Sequence, residues 1–151
     1  MNILNIGLHG VAGHQIFRDI PQLQRARLTD VSGVHESEYA NLKSDFPDVF
    51  ANTTWHPGLE SMLDDGAASL ISFCSNRRDA QCAEAIRALE TGRHVLLEKP
   101  MATSLEDLST LHKAWKRAGT ELRTMTTMIY DPCFSGMKAV VENGAIGEVV
   151  Q

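Results

Sequence analysis

Short apolar runs alternate with amphipathic stretches along almost the whole of this chain, and that alternation leaves very few architectures open. Ile3–Leu8, Arg27–Ser32, Ala68–Cys74, Arg93–Leu97 and Glu121–Met128 read as strands bounded by glycine or polar residues, with Val49-Phe50 a shorter candidate. Helical stretches lie between them. The first follows a glycine-containing turn and runs to about Ile20, where Pro21 stops it. Ser37–Phe46 carries Tyr39, Leu42 and Phe46 at helical spacing, and Gly58–Leu63 is a short helix. Asp79–Glu90 aligns Cys82, Ala85, Ile86 and Leu89 in one stripe ahead of Gly92. Thr103 and Glu106 have capping-box spacing for a helix to about Ala118, ended by Gly119. Asp131-Pro132 opens another helix through Val141, closed by Gly144. The alternation predicts an α/β fold: a doubly wound parallel sheet of Rossmann type.

Gly7-Leu8-His9-Gly10-Val11-Ala12-Gly13-His14-Gln15 joins the first strand to the first helix. Main-chain N–H groups free at a helix N-terminus, together with the helix dipole, suit a pyrophosphate. Glycine permits the tight turn and the close approach of phosphate to backbone. Counted from Gly10, a Gly-x-Gly-x-x-Gly pattern is imperfect: Ala12 replaces the second glycine, Gln15 the third, and Gly13 is extra. Gly10, Val11, Ala12, Gly13 and His14 are the candidate contacts, although a purely structural turn accounts for the same residues.

Glu98-Lys99-Pro100 stands at the carboxyl end of the strand Arg93–Leu97, where open α/β sheets place their ligands. A surface pair of Lys99 with Glu98 is the plain reading of that dipeptide. The chemical reading is that Lys99 meets substrate or cofactor. Hydride transfer from an alcohol requires loss of the hydroxyl proton; a lysine normally titrates near ~10.4, and burial and neighbours can lower that toward a usable range.

With 151 residues the chain can hold one domain with a sizeable core. Its net charge of -5 argues against a nucleic-acid surface, and no apolar run is long enough to span a bilayer. The start lacks the basic flank and apolar core of a secretory signal. Cys74, Cys82 and Cys133 lack metal-type spacing and read as reduced thiols of a cytoplasmic protein, with no metal site. Gly144–Gln151 reads as a turn followed by a new strand, which makes the chain the expected first part of a longer protein.

Taken with the glycine turn and this ending, Ala88–Ser104, with Glu98-Lys99-Pro100 at its centre, resembles the central signature of the Gfo/Idh/MocA oxidoreductases. Tyr130-Asp131-Pro132 and Ile146-Gly147-Glu148-Val149 resemble that family's next two landmarks. The resemblance implies a dinucleotide-binding domain over residues 1–128, with residues 129–151 forming a connecting helix and the first strand of a C-terminal α/β substrate domain. It implies that Lys99 is the catalytic lysine reaching the nicotinamide ribose and the substrate oxygen, that Glu98 is its cofactor-side neighbour, and that Pro100 often follows a cis peptide. The implied activity is NAD(P)-dependent hydride transfer to or from a sugar, cyclitol or similar compound. Homo-oligomerisation through the C-terminal domain is implied by analogy. A non-catalytic NAD(P)-sensing regulator and an NAD-assisted glycoside hydrolase remain as alternatives on the same scaffold.

The chain departs from the family pattern at three places. Gly33 occupies the position of an acidic residue that holds the adenosine ribose, which removes a repulsion of the NADP 2′-phosphate and slightly favours NADP over NAD. Ser32 and Gly33 remain candidate cofactor contacts. After Ala68–Cys74, Asn76-Arg77 replaces Thr-Pro and Gln81 replaces a His, so that Ser75, Asn76 and Arg77 become the candidate contacts there, with Arg78 beside them. Ile129 stands near a position that is often Arg.

Overall fold

The computed structural model describes residues 2–150. Six strands form one wholly parallel sheet: β1 (Leu4–His9), β2 (Ala26–Ser32), β3 (Thr54–Trp55), β4 (Leu70–Phe73), β5 (His94–Leu97) and β6 (Leu122–Thr124). Their order across the sheet is β3-β2-β1-β4-β5-β6, so the chain winds outward from β1 in both directions. This is the doubly wound arrangement expected from the alternation.

Helices cover both faces. α1 (Glu36–Asp45) and the single turn α2 (Pro47–Phe50) lie on one, where Phe17, Phe46 and Phe50 pack around Ile6, Leu8, Leu28 and Val31. α3 (Leu59–Asp65), α4 (Arg78–Glu90) and α5 (Leu105–Ala118) cover the other, enclosing Ile71, Phe73, Val95 and Leu97 against Met62, Ala85, Leu89 and Leu111. α6 (Pro132–Glu142) is capped by the Asp131 carboxylate and leaves Phe134, Met137, Val140 and Val141 exposed. Residues 147–150 pair with no strand among the described residues, and Gln151 lies outside them.

Four local expectations are corrected. The crossover from β1 to β2 contains no α-helix; two separate 3-10 turns, Ile16–Arg18 and Ile20–Gln22, take its place. Their main-chain bonds close after three residues, with Asp19 N–H donating to the Ile16 carbonyl and Leu23 N–H to the Ile20 carbonyl. Phe17 instead anchors the segment, with ring centroids 5.2 Å from both Phe46 and Phe50. Val49-Phe50 is helical rather than extended, because Pro47 stands at a helix start where its missing N–H costs nothing. The cap of α5 is Ser104, whose hydroxyl accepts from the Asp107 N–H at 3.0 Å, and not Thr103 with Glu106. The last strand is shorter than expected: Thr127–Tyr130 is a 3-10 turn.

Candidate functional site

The loops leaving β1, β2, β4 and β5 meet at one end of the sheet and carry nearly every residue singled out in the sequence. Residues 10–14 are tied to three neighbouring strand ends by alternate main-chain N–H groups. Gly10 donates to the Ser32 carbonyl at 2.8 Å, Ala12 to the Cys74 carbonyl at 2.7 Å, and His14 to Glu98 Oε2 at 3.0 Å. The N–H groups of Val11 and Gly13 have no protein partner among the described residues. A Cβ at Gly10 would stand 2.6 Å from the Cys74 carbonyl oxygen, and φ there is +78°, so glycine alone fits this crossing.

Glu98 lies under the turn with its side chain 1% exposed. Its Oε1 is 2.9 Å from His14 Nδ1. Burial pushes this carboxyl up, but the hydrogen bonds from the His14 side chain and main chain, with the charges of His14 and Arg78, outweigh burial and hold it below its ordinary value. An ionised acceptor at this distance fixes Nδ1 as the donor. Below the turn, the Cys74 thiol donates to the His14 carbonyl at 3.0 Å, and burial pushes that thiol up to about 11, so it stays protonated.

Lys99 follows Glu98 at the rim. Its side chain is 61% exposed and its Nζ lies 3.8 Å from Glu98 Oε1, a loose pair that leaves the ammonium available. The Lys99–Pro100 peptide is cis. A cavity of about 330 Å³ opens beside the turn, lined by His14, Gln15, Ile16, Leu96, Thr124 and Met125. A larger one of about 620 Å³ lies toward the other end of the sheet, where β2 begins, so size does not locate the chemistry.

The remaining candidates divide. Gly33 ends β2 with φ +69°, and a Cβ there would come within 2.9 Å of both the Gly10 nitrogen and the His9 ring. Ser32 is fully buried, its hydroxyl 2.8 Å from His9 Nδ1 and 3.4 Å from the Met62 sulfur, which turns it into the core. His9 itself packs on Phe73 and lies 3.5 Å from Glu84, a structural place. The Ser75 hydroxyl accepts from the Arg77 N–H at 3.1 Å, while Asn76 is exposed. Arg77 is 74% exposed beside Asp79, and Arg78 is the arginine that reaches the turn, donating to the Ala12 carbonyl at 3.3 Å.

With no α-helix after the turn, the helix dipole invoked for phosphate has no source here. Free N–H groups at Val11 and Gly13 and the Arg78 guanidinium are what an anion would meet, and that donor set fits the pyrophosphate of a dinucleotide. Gln81 is a further residue of the site, fully buried beneath it. Its signal was available: it shares the inward stripe of α4 with Ala85 and Ala88, where a polar residue needs partners. Among the described residues there is no metal-binding cluster and no helix long and apolar enough to cross a membrane.

Residues 1–125 match the family model described as "Oxidoreductase family, NAD-binding Rossmann fold". An uncharacterized oxidoreductase of Rhizobium meliloti is 40% identical over 149 residues, covering 99% of this chain and 44% of its own. A scyllo-inositol 2-dehydrogenase (NADP(+)) of Bacillus subtilis is 25% identical over 149 residues, covering 99% of this chain and 39% of its own. The crystal structure of myo-inositol 2-dehydrogenase from Lactobacillus plantarum shares the fold, with a TM-score of 0.85 at 19% identity over 99% of this chain and 44% of that one. The chain therefore spans less than half the length of each of these proteins.

Proposed function

Because the chain belongs to the Gfo/Idh/MocA oxidoreductase family, we propose that it is the nucleotide-binding part of an NAD(P)-dependent enzyme moving a hydride to or from a sugar, a cyclitol or a similar hydroxy or keto compound. One observation carries the reading: Glu98-Lys99 and the glycine turn, distant in sequence, are joined through His14 at the carboxyl ends of β1 and β5.

In this reading the Val11 and Gly13 N–H groups bind pyrophosphate oxygens and Arg78 balances their charge. Bound nicotinamide supplies the hydride acceptor or donor. Glu98 keeps the turn and His14 in place, and Lys99 reaches the nicotinamide ribose, holds the substrate oxygen and takes or returns its proton. A further α/β domain, implied by the family likeness, orients the substrate from the opposite side and carries any self-association. Residues 129–151 lead into that domain, and the enzyme works in the cytoplasm. The absence of a carboxylate at Gly33 slightly favours NADP.

The test is a titration with NADH and NADPH in turn, followed by nicotinamide fluorescence, for the wild type and Lys99→Ala. Saturable binding that weakens in the variant is the expected result. A folded sample that binds neither nucleotide would sink the dehydrogenase reading.

A further inference from the structure

The turn and Lys99 are joined by a second route, which runs through α4. Gln81 is fully buried. Its Nε2 donates to the Glu98 carbonyl at 2.7 Å and to the Pro100 carbonyl at 3.1 Å, the two carbonyls that flank Lys99 along the chain. Its Oε1 accepts from Arg78 Nη1 at 2.8 Å. Arg78 Nη2 in turn donates to the Ala12 carbonyl in the turn at 3.3 Å. An unbroken line of hydrogen bonds thus runs from Ala12 through Arg78 and Gln81 to the main chain on both sides of Lys99.

The geometry of a primary amide makes this line restrictive. Both hydrogens of one nitrogen are in use, one per carbonyl, so the spacing of the two carbonyls is set by a rigid planar group. The amide oxygen is held by a guanidinium, itself planar, which fixes the rotation of the amide. Buried polar groups of this kind have no water to substitute for a lost partner. Loss of either Gln81 contact would therefore be felt by the backbone that carries Lys99.

We infer that Gln81 is a positioning residue that holds the Lys99 backbone in register with the nucleotide turn, so that the contact between Lys99 and the cofactor depends on the amide of Gln81. The inference rests on the reading that Lys99 meets a nicotinamide cofactor.

The test is a double-mutant cycle on affinity for NADPH and for NADH in turn, in the full chain, with wild type, Lys99→Ala, Gln81→Leu and the double variant. Lys99→Ala alone is expected to weaken binding roughly tenfold, the worth of one charge-assisted hydrogen bond. In the Gln81→Leu background the same change is expected to cost about twofold or less, because Lys99 is already out of place. Gln81→Glu keeps the oxygen that faces Arg78 and removes both donors to the main chain around Lys99, and it carries the same cycle if Gln81→Leu does not fold. A merely structural Gln81 would lower thermal stability and leave the Lys99 effect intact, and such multiplicative losses would overturn the inference while leaving the dehydrogenase reading standing. A wild type that binds either nucleotide with no loss in Lys99→Ala also overturns it. Absence of binding of both nucleotides by the folded wild type removes the reading and the inference together.

Discussion

Glu98 accepts the main-chain N–H of His14 at 3.0 Å and lies 2.9 Å from the imidazole Nδ1 of the same residue. One histidine thus occupies a buried carboxylate from two directions, closing the glycine turn onto the end of β5.

That carboxylate gives the protein an acid-side dependence of definite sign. The folded-state pKa of Glu98 is lowered, so its contribution to stability is complete above its unfolded value and is lost as pH falls through the folded one. Glu98→Gln should melt below the wild type at pH 7, with the gap shrinking below about pH 4.3, the ordinary glutamate value. Thermal melts of both proteins from pH 7 down to pH 3 measure it. A gap that stays constant or widens at low pH would contradict the assigned charge.

Gly33→Ala should be clearly destabilising although the position is exposed at the end of β2. The left-handed backbone alone costs roughly 1–2 kcal/mol for a residue with a Cβ. That atom would also press on the Gly10 nitrogen and the His9 ring at 2.9 Å. His9→Ala costs stability of its own through the Ser32 and Phe73 contacts, so the comparison is a cycle: chemical denaturation should show a smaller Gly33→Ala loss in the His9→Ala background than in the wild type.

Away from the site, His56 Nε2 and Asp30 Oδ1 stand 2.9 Å apart, both residues buried. Removing one partner of a buried pair commonly costs about 3–5 kcal/mol, because the other is left without compensation. His56→Ala is expected near the lower end of that range by urea unfolding, since Thr29 continues to donate to Asp30.

Thiol chemistry should separate the three cysteines. Burial raises both Cys74 and Cys82, the former to about 11, whereas Cys133 is exposed on α6. Alkylation with iodoacetamide at pH 8, read by peptide mass spectrometry, is expected to modify Cys133 alone until the protein is unfolded.

The centre of the sheet was legible because β1, β4 and β5 are short apolar runs closed by glycine or a polar residue, and β4 and β5 lie within their expected bounds, whereas the two-residue edge strand β3 (Thr54–Trp55) has no apolar run to announce it and was missed. The first crossover was not legible either. Ile16, Phe17 and Ile20 have the spacing of a helix face, and that spacing does not separate two 3-10 turns from one α-helix. At the site, Gly10–His14 and Glu98-Lys99 could be read because each is contiguous in sequence. The Arg78–Ala12 and Gln81–Glu98 contacts span 66 and 17 residues, and no local pattern announces a hydrogen bond that the fold assembles across such distances. Ser32 shows the converse: its place at the end of β2 suggested an outward role, but pleating turned its hydroxyl toward His9.

Three N–H groups of the glycine turn are engaged by Ser32, Cys74 and Glu98. A loop held at three points has little conformational freedom left to surrender, so its ordering belongs to folding and not to ligand capture. The consequence is kinetic. Nucleotide should arrive at a finished surface, and stopped-flow mixing should give one exponential whose rate rises linearly with nucleotide concentration, with no plateau from a slow rearrangement.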